Sequence, residues 1–196
     1  MPRYARQIYD NSYYHILSRG NDRKRIFRIS KDYRYFYDVI AETLEKHRVI
    51  IHHYCLMGNH PHFLIRSVKA ADVPQFFKIV FQRYAYYFRK KYHHTGYLFQ
   101  NRYKSYHIDK EAYLLECARY IERNPVRAGL VKDPEQYEWS SYLHYGRGKN
   151  DGIIEEDNPL YTSLSDNAEE RQKLYRDYIY QERPYEHIVD KGLGIC

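Results

Sequence analysis

Two histidines one residue apart, His60 and His62, are the side chains of this chain best placed to do chemistry. On an extended strand side chains alternate, so His60, His62 and Leu64 share one face while Pro61, Phe63 and Ile65 take the other. One face then reads as a site and the other as core. Two neutral imidazoles on a strand can occupy two positions of a divalent metal, with a third ligand arriving from elsewhere in the fold. The ordinary alternative is a pair of half-exposed strand histidines hydrogen-bonded to their neighbours. Tyr120 and Asn124 form the second candidate group. They lie four apart in a stretch of helical periodicity, on one side and at the edge of its apolar stripe. A phenol with a pKa near 10 attacks at neutral pH only when its target is polarised or a base is close. A metal on His60 and His62 would polarise it. Tyr113 falls on nearly the same helix side and is a rival nucleophile, and Asn124 before Pro125 also suits an ordinary helix end.

The elements that must position these groups follow from the pattern of apolar residues. Tyr13 to Arg19 alternates and stops at Gly20-Asn21, a strand entering a turn. Ser30 offers an N-cap, behind which Phe36, Val39, Ile40, Thr43 and Leu44 recur at helical spacing. Val49 to Met57 reads as a second strand. Gly58-Asn59 allows the positive backbone angles of a two-residue hairpin, so His60 to Arg66 returns antiparallel. Pro61 withholds a ladder donor, which predicts an edge position or a bulge. Asp72-Val73-Pro74-Gln75 starts a helix with Phe77, Val80, Phe81, Tyr84 and Phe88 as its stripe. Phe99 to Ile108 reads as extended. Asp109 is a candidate N-cap for a helix from Lys110 to Arg123 that buries Leu114, Cys117, Ala118 and Ile121, and Pro125 ends it.

Strand, helix, strand, strand, helix, strand, helix predicts an α+β fold, a ferredoxin-like antiparallel sheet with helices packed on one face and the other face free for substrate. Gly146 to Gly152 is linker-like, and Ala168 to Gln181 reads as a further helix docked through Tyr175, Tyr178 and Ile179. The chain therefore divides into residues 1–145 and, at 146–196, a linker plus an acidic C-terminal helical tail.

Its 196 residues suggest one domain with a real core. No apolar run is long enough for a membrane span and the N-terminus lacks a signal-peptide core, so a cytoplasmic, membrane-free protein is expected. Cys55, Cys117 and Cys196 fall in no disulfide or metal spacing, which reads as two core thiols and a loose end. Residues 1–150 hold 27 Lys and Arg against 14 Asp and Glu, whereas residues 151–196 hold 5 against 11. A basic body with 25 tyrosines predicts a nucleic-acid partner, since cations take phosphates and flat rings stack on unpaired bases. Most of the tyrosines are expected to be packing.

Glu116-Cys117-Ala118-Arg119-Tyr120-Ile121-Glu122-Arg123-Asn124-Pro125-Val126-Arg127-Ala128-Gly129-Leu130, preceded by Leu56 to Ile65 and by Gly96-Tyr97-Leu98-Phe99-Gln100-Asn101-Arg102-Tyr103 and followed by Trp139-Ser140-Ser141-Tyr142, resembles the REP-associated tyrosine transposases. These belong to the single-tyrosine HUH transposase superfamily, named for histidines flanking a hydrophobic residue. The resemblance runs from about Tyr13 to Tyr142. It implies an HUH endonuclease-type catalytic domain over residues 1–145 and a metal-dependent single-stranded DNA endonuclease and strand transferase. Such an enzyme cleaves near hairpins through a 5′-phosphotyrosine intermediate. Carried over by motif, Tyr120 is the nucleophile, His60 and His62 are paired metal ligands, Asn124 is the third ligand, and the metal is Mg²⁺ or Mn²⁺. The implied partner is single-stranded or hairpin DNA of short repeated palindromes. Arg19, Arg102, Lys104, Arg119, Arg127 and the basic N-terminal segment are the expected phosphate contacts. Relatives act as monomers or as homodimers that exchange the tyrosine helix.

The chain departs from the family pattern twice. Pro61 stands where a bulky aliphatic is usual, and Glu122 stands where a histidine is frequent and reads as a surface charge, the other reading being an extra metal-side carboxylate. Two other readings remain: a catalytically inactive domesticated DNA-binding regulator, favoured by Pro61, and a metal-dependent phosphodiesterase that uses water. Arg119, Arg123 and Arg127 also fit a solvated helix face.

Overall fold

Alternation along four extended segments lays down an antiparallel sheet of β1 (Ser12–Leu17), β2 (Val49–Met57), β3 (His60–Ser67) and β4 (Lys104–Ile108), in spatial order β2-β3-β1-β4. The computed structural model describes residues 7–110 and 112–181. Tyr14, Ile16, Ile51, Tyr54, Leu56, Phe63 and Ile65 point from the sheet into a layer made by α1 (Ser30–Leu44) and α2 (Asp72–Tyr92). Both expected helix stripes are buried there, Phe36 to Leu44 on α1 and Phe77 to Phe88 on α2. Each such aliphatic or aromatic side chain contributes roughly 1.5–3 kcal/mol by leaving water. The α+β, ferredoxin-like arrangement is the observed one.

Several local devices differ from the sequence reading. Asp32, not Ser30, caps α1, accepting from Arg28 N at 2.8 Å and Ile29 N at 3.1 Å. The same carboxylate holds the end of α2 through Lys91 Nζ at 2.6 Å, Tyr92 Oη at 2.8 Å and Tyr87 Oη at 3.0 Å. Burial pulls its pKa upward, but the hydrogen bonds from Lys91, Arg28 and Tyr92 outweigh it and leave Asp32 below the usual carboxylate value. At the β2–β3 hairpin neither Gly58 nor Asn59 adopts a positive φ. The loop after β1 holds that turn from outside: Gly58 O accepts from Ile26 N and Phe27 N, and Asn59 O from Gly20 N.

Pro61 lies in an internal strand, and the ladder bond it withholds falls at the very end of β1, where Ser18 N donates to Pro61 O at 3.4 Å with no bond in return. Its cross-strand neighbour Leu56 sends its N–H outward to Trp139 O at 2.9 Å, and β1 ends at the Leu17–His62 pair, one residue short of Pro61. The missing N–H therefore takes nothing from β2 and only the terminal bond from β1. The extended reading of residues 99–103 also gives way. Only Lys104–Ile108 pairs as a strand, while the preceding loop is tied to the exit of β1 by Gln100 N to Arg19 O and Asn21 N to Leu98 O.

The second sheet face, expected to be free for substrate, is covered by helix. There α3 (Ala112–Arg127) packs Leu114, Cys117, Ala118, Tyr120 and Ile121 on Cys55, Met57 and Leu64. A register shift between Ile51 and His53 places the extra residue His52 in β2. Next to α3 lie α4 (Tyr142–Arg147), α5 (Pro159–Thr162) and α6 (Ala168–Tyr180), joined by buried Tyr142, Tyr145, Tyr161, Tyr175 and Ile179. Tyr175 and Ile179 dock α6 as expected, with Tyr178 partly buried beside them. Cys55 and Cys117 are buried thiols. Cys196 and the basic first residues, Arg3 and Arg6, lie outside the described residues. Among the described residues no helix is long and apolar enough to cross a membrane.

Candidate active site

Because His60 opens β3 and His62 follows it on the same side, both imidazoles face α3. Their ring centroids are 4.7 Å apart. Asn59 orients the first: its Nδ2 donates to Arg23 O at 3.1 Å, which turns its Oδ1 to accept from His60 Nδ1 at 2.5 Å. His60 therefore carries its proton on Nδ1 and keeps the lone pair on Nε2. His62 is fully buried, its Nδ1 lies 2.9 Å from His15 Nε2, and its Nε2 has no hydrogen-bond partner among the described residues.

His15 is a site residue that the motifs do not single out. It sits in β1 on the face opposite Tyr14 and Ile16, fully buried, its ring stacked at 5.1 Å and 11° on that of His62. The signal available in the sequence was a histidine at an alternating position of a predicted strand. Its relevance depended on β1 lying next to β3, which strand alternation does not reveal. Burial and then the neighbouring His60 push His15 down to about 3, and burial and then Arg19 push His60 down to about 4. His62 is also held well below its ordinary value, chiefly by burial. At neutral pH all three imidazoles are uncharged, the form that ligates metals.

On the facing helix, Tyr120 is 3% exposed and puts its ring edge toward both His15 and His62, at 5.9 Å from each centroid. Its rival Tyr113 is 53% exposed, with Lys110 5.8 Å over its ring. Asn124, one turn after Tyr120, is buried, and its Nδ2 donates to Tyr120 O at 2.9 Å and Ile121 O at 3.3 Å. Pro125 does not end α3, which continues to Arg127. A residue at position 125 would normally donate to Ile121 O. The Asn124 amide takes over that carbonyl and leaves Oδ1 as its remaining acceptor.

Cations surround this group. Arg127 lies 5.0 Å over the Tyr120 ring, and both Arg127 and Arg19 act electrostatically on His62. Arg19, Arg102 and Lys104 line one small cleft with Ser18 and Gln100. Arg119 does not belong with them. It is 2% exposed and donates to Gln181 O, while Arg123 Nη1 donates to Ile179 O at 3.0 Å. Both guanidiniums serve carbonyls at the end of α6, the usual place for a cation at a helix C-terminus. Glu122 is likewise not a surface charge. Fully buried, it accepts from His53 Nδ1 at 2.9 Å, Ser141 Oγ at 2.5 Å and Tyr175 Oη at 2.8 Å.

For a metal, the fitting features are the unprotonated Nε2 of His60 and the buried, unpartnered Nε2 of His62, each backed by a hydrogen bond at the other ring nitrogen. Among the described residues no three His, Cys, Asp or Glu converge on one point. Further positions would fall to an amide oxygen such as that of Asn124, to substrate oxygens and to water.

The sequence profile described as IS200-like transposase matches residues 8–124. No curated protein matches the chain. Among solved structures, the chain is similar to a REP-associated tyrosine transposase bound to a REP hairpin, with 17% identity and a TM-score of 0.62 over 80% of this chain and 93% of that one. It is also similar to a putative transposase from Deinococcus radiodurans, with 16% identity and a TM-score of 0.43 over 63% of this chain and 97% of that one.

Proposed function

Since the chain belongs to the IS200-like transposases and is thus a DNA transposase, we propose that it cuts and rejoins single-stranded DNA beside hairpins, with Tyr120 as the nucleophile. The observation that carries this reading is the approach of Tyr120 to His15 and His62 within one chain. Of the two candidate tyrosines it alone is held against the histidines, while Tyr113 is exposed beside Lys110.

His60 and His62, with Asn124, would hold Mg²⁺ or Mn²⁺, which when bound supplies Lewis-acid polarisation of the scissile phosphate. Tyr120 Oη forms a bond to phosphorus and gives up its proton, the bond from phosphorus to the 3′ oxygen breaks, and that oxygen leaves as a hydroxyl after taking a proton. A 5′-phosphotyrosine remains. One phosphoester replaces another, so no nucleotide triphosphate is consumed, and attack by a 3′ hydroxyl reverses the step. Arg127 stands over the reacting ring, and Arg19, Arg102 and Lys104 receive flanking phosphates. Folded palindromes like the REP hairpin of the similar structure are the proposed substrate. Because the helix and histidines of one chain meet each other, the monomer suffices for cleavage. Residues 1–145 are the catalytic unit in this reading, and the described part of the following segment, up to residue 181, braces its tyrosine helix. The buried, unbridged thiols Cys55 and Cys117 suit work in the cytoplasm.

Incubation with labelled hairpin DNA and Mn²⁺, followed by denaturing electrophoresis, tests this. A covalent adduct is expected from the parent and from Tyr113→Phe, and none from Tyr120→Phe or with EDTA. Cleavage without an adduct would mean a hydrolase using water, and tight binding with neither would mean a regulator.

A further inference from the structure

We infer that His15 is a positioning residue for the metal site, accepting the Nδ1 proton of His62 so that the Nε2 lone pair of His62 is presented to the cation. The role rests on the proposed metal-assisted reading and extends it to a third histidine.

Two stacked rings with a single hydrogen bond between them have only two arrangements of protons. In one, His15 Nε2 donates to His62 Nδ1, which leaves the proton of neutral His62 on Nε2 and blocks that nitrogen as a ligand. In the other, His62 Nδ1 donates to His15 Nε2, and His62 Nε2 is free to ligate. The contact is 2.9 Å, both rings are fully buried, and among the described residues neither His62 Nε2 nor His15 Nδ1 has a hydrogen-bond partner. Only the second arrangement lets the unpartnered Nε2 of His62 receive a cation.

His60 is set up the same way by a different residue. Asn59 Oδ1 accepts its Nδ1 proton, so both members of the pair have a dedicated acceptor behind them and Nε2 in front. Outer partners of ligating imidazoles fix tautomer and ring orientation, and losing one typically lowers metal affinity about 10–100-fold. His15 differs from Asn59 in also touching the nucleophile side, through its edge contact with Tyr120 at 5.9 Å. One buried ring thus spaces the His62 imidazole from β1 and borders the tyrosine.

The test uses the full chain and Mn²⁺ alone. His15→Gln keeps an acceptor oxygen near the position of Nε2, whereas His15→Phe keeps the ring packing and removes the acceptor. Calorimetric titration is expected to give similar affinity for the parent and His15→Gln, and an affinity about 10–100-fold lower for His15→Phe. Nitrogen NMR of the metal-free parent should find the His62 proton on Nδ1. His15→Phe binding Mn²⁺ as tightly as the parent, His15→Gln binding as weakly as His15→Phe, or a parent His62 protonated on Nε2 would each overturn the role. A parent that binds no Mn²⁺ would overturn the metal-assisted reading along with it, while a parent that binds alongside an unaffected His15→Phe overturns the role of His15 alone. The tautomer measurement needs no variant, so it decides even if both substitutions prevent folding.

Discussion

His53 Nδ1 donates to Glu122 Oε1 at 2.9 Å, with both side chains fully buried. Asn158 Oδ1 accepts from Leu160 N, which turns its Nδ2 to His53 Nε2 at 3.1 Å, so His53 has its proton on Nδ1 and points it at the carboxylate. Ser141 and Tyr175 supply the other donors. Glu122 and Tyr120 are two residues apart on α3, about 200° around the axis. The anchor on one side of the helix thereby fixes where the tyrosine points on the other.

Glu122→Ala strands three buried donors and should cost about 3–5 kcal/mol, with Glu122→Gln intermediate because the amide keeps one acceptor. Urea unfolding measures this. A Glu122→Ala chain as stable as its parent would show that the network does not hold α3.

One double variant separates the helix-shaping role of Asn124 from its proposed role as a metal ligand. Asn124→Ala frees the carbonyls of Tyr120 and Ile121 and should lose about 1 kcal/mol. Adding Pro125→Ala restores an N–H for Ile121 O and should recover part of that stability. If Asn124 is also a metal ligand, Mn²⁺ affinity stays low in the double variant; full recovery of affinity would reduce Asn124 to a helix-shaping residue.

The two arginines of α3 should behave oppositely in DNA binding measured against salt. Arg127→Ala is expected to weaken binding to hairpin DNA and to flatten the dependence of log affinity on log salt by about one unit. Arg119→Ala, which removes a cation buried against α6, should lower the melting temperature and leave the salt slope in place. Equal slopes for Arg127→Ala and the parent would remove Arg127 from the phosphate contacts.

Acid should unfold the protein through its buried histidines. Burial pushes His52 and His60 down to about 4 and His15 to about 3. An unfolded chain takes up those protons near pH 6.5 and the folded chain does not, so stability is complete above that pH and falls as pH drops toward 4. For His52 alone the loss by pH 4 is about 3 kcal/mol. Melting temperatures from pH 7 to pH 4 test this, and a flat profile would contradict the neutral burial of these rings.

The chain by itself determined its strands, its two long helices and the shared face of His60 and His62, because each is written in local periodicity that burial then enforces. Tyr120 and Asn124 were legible for the same reason, as neighbours on one helix side. What only the tertiary structure decided depends on which elements lie side by side. His15 joins the site because β1 pairs with β3, and Glu122 is internal because β2, the segment before α4, and α6 close around it. Arg119 is buried against the end of α6 for the same kind of reason. Pro61 is tolerated because Leu56 turns its N–H away from it and it meets β1 only at the end of that strand. A period of two or of 3.6 says which face a side chain takes; what stands across from that face is set by long-range packing, which no local pattern encodes.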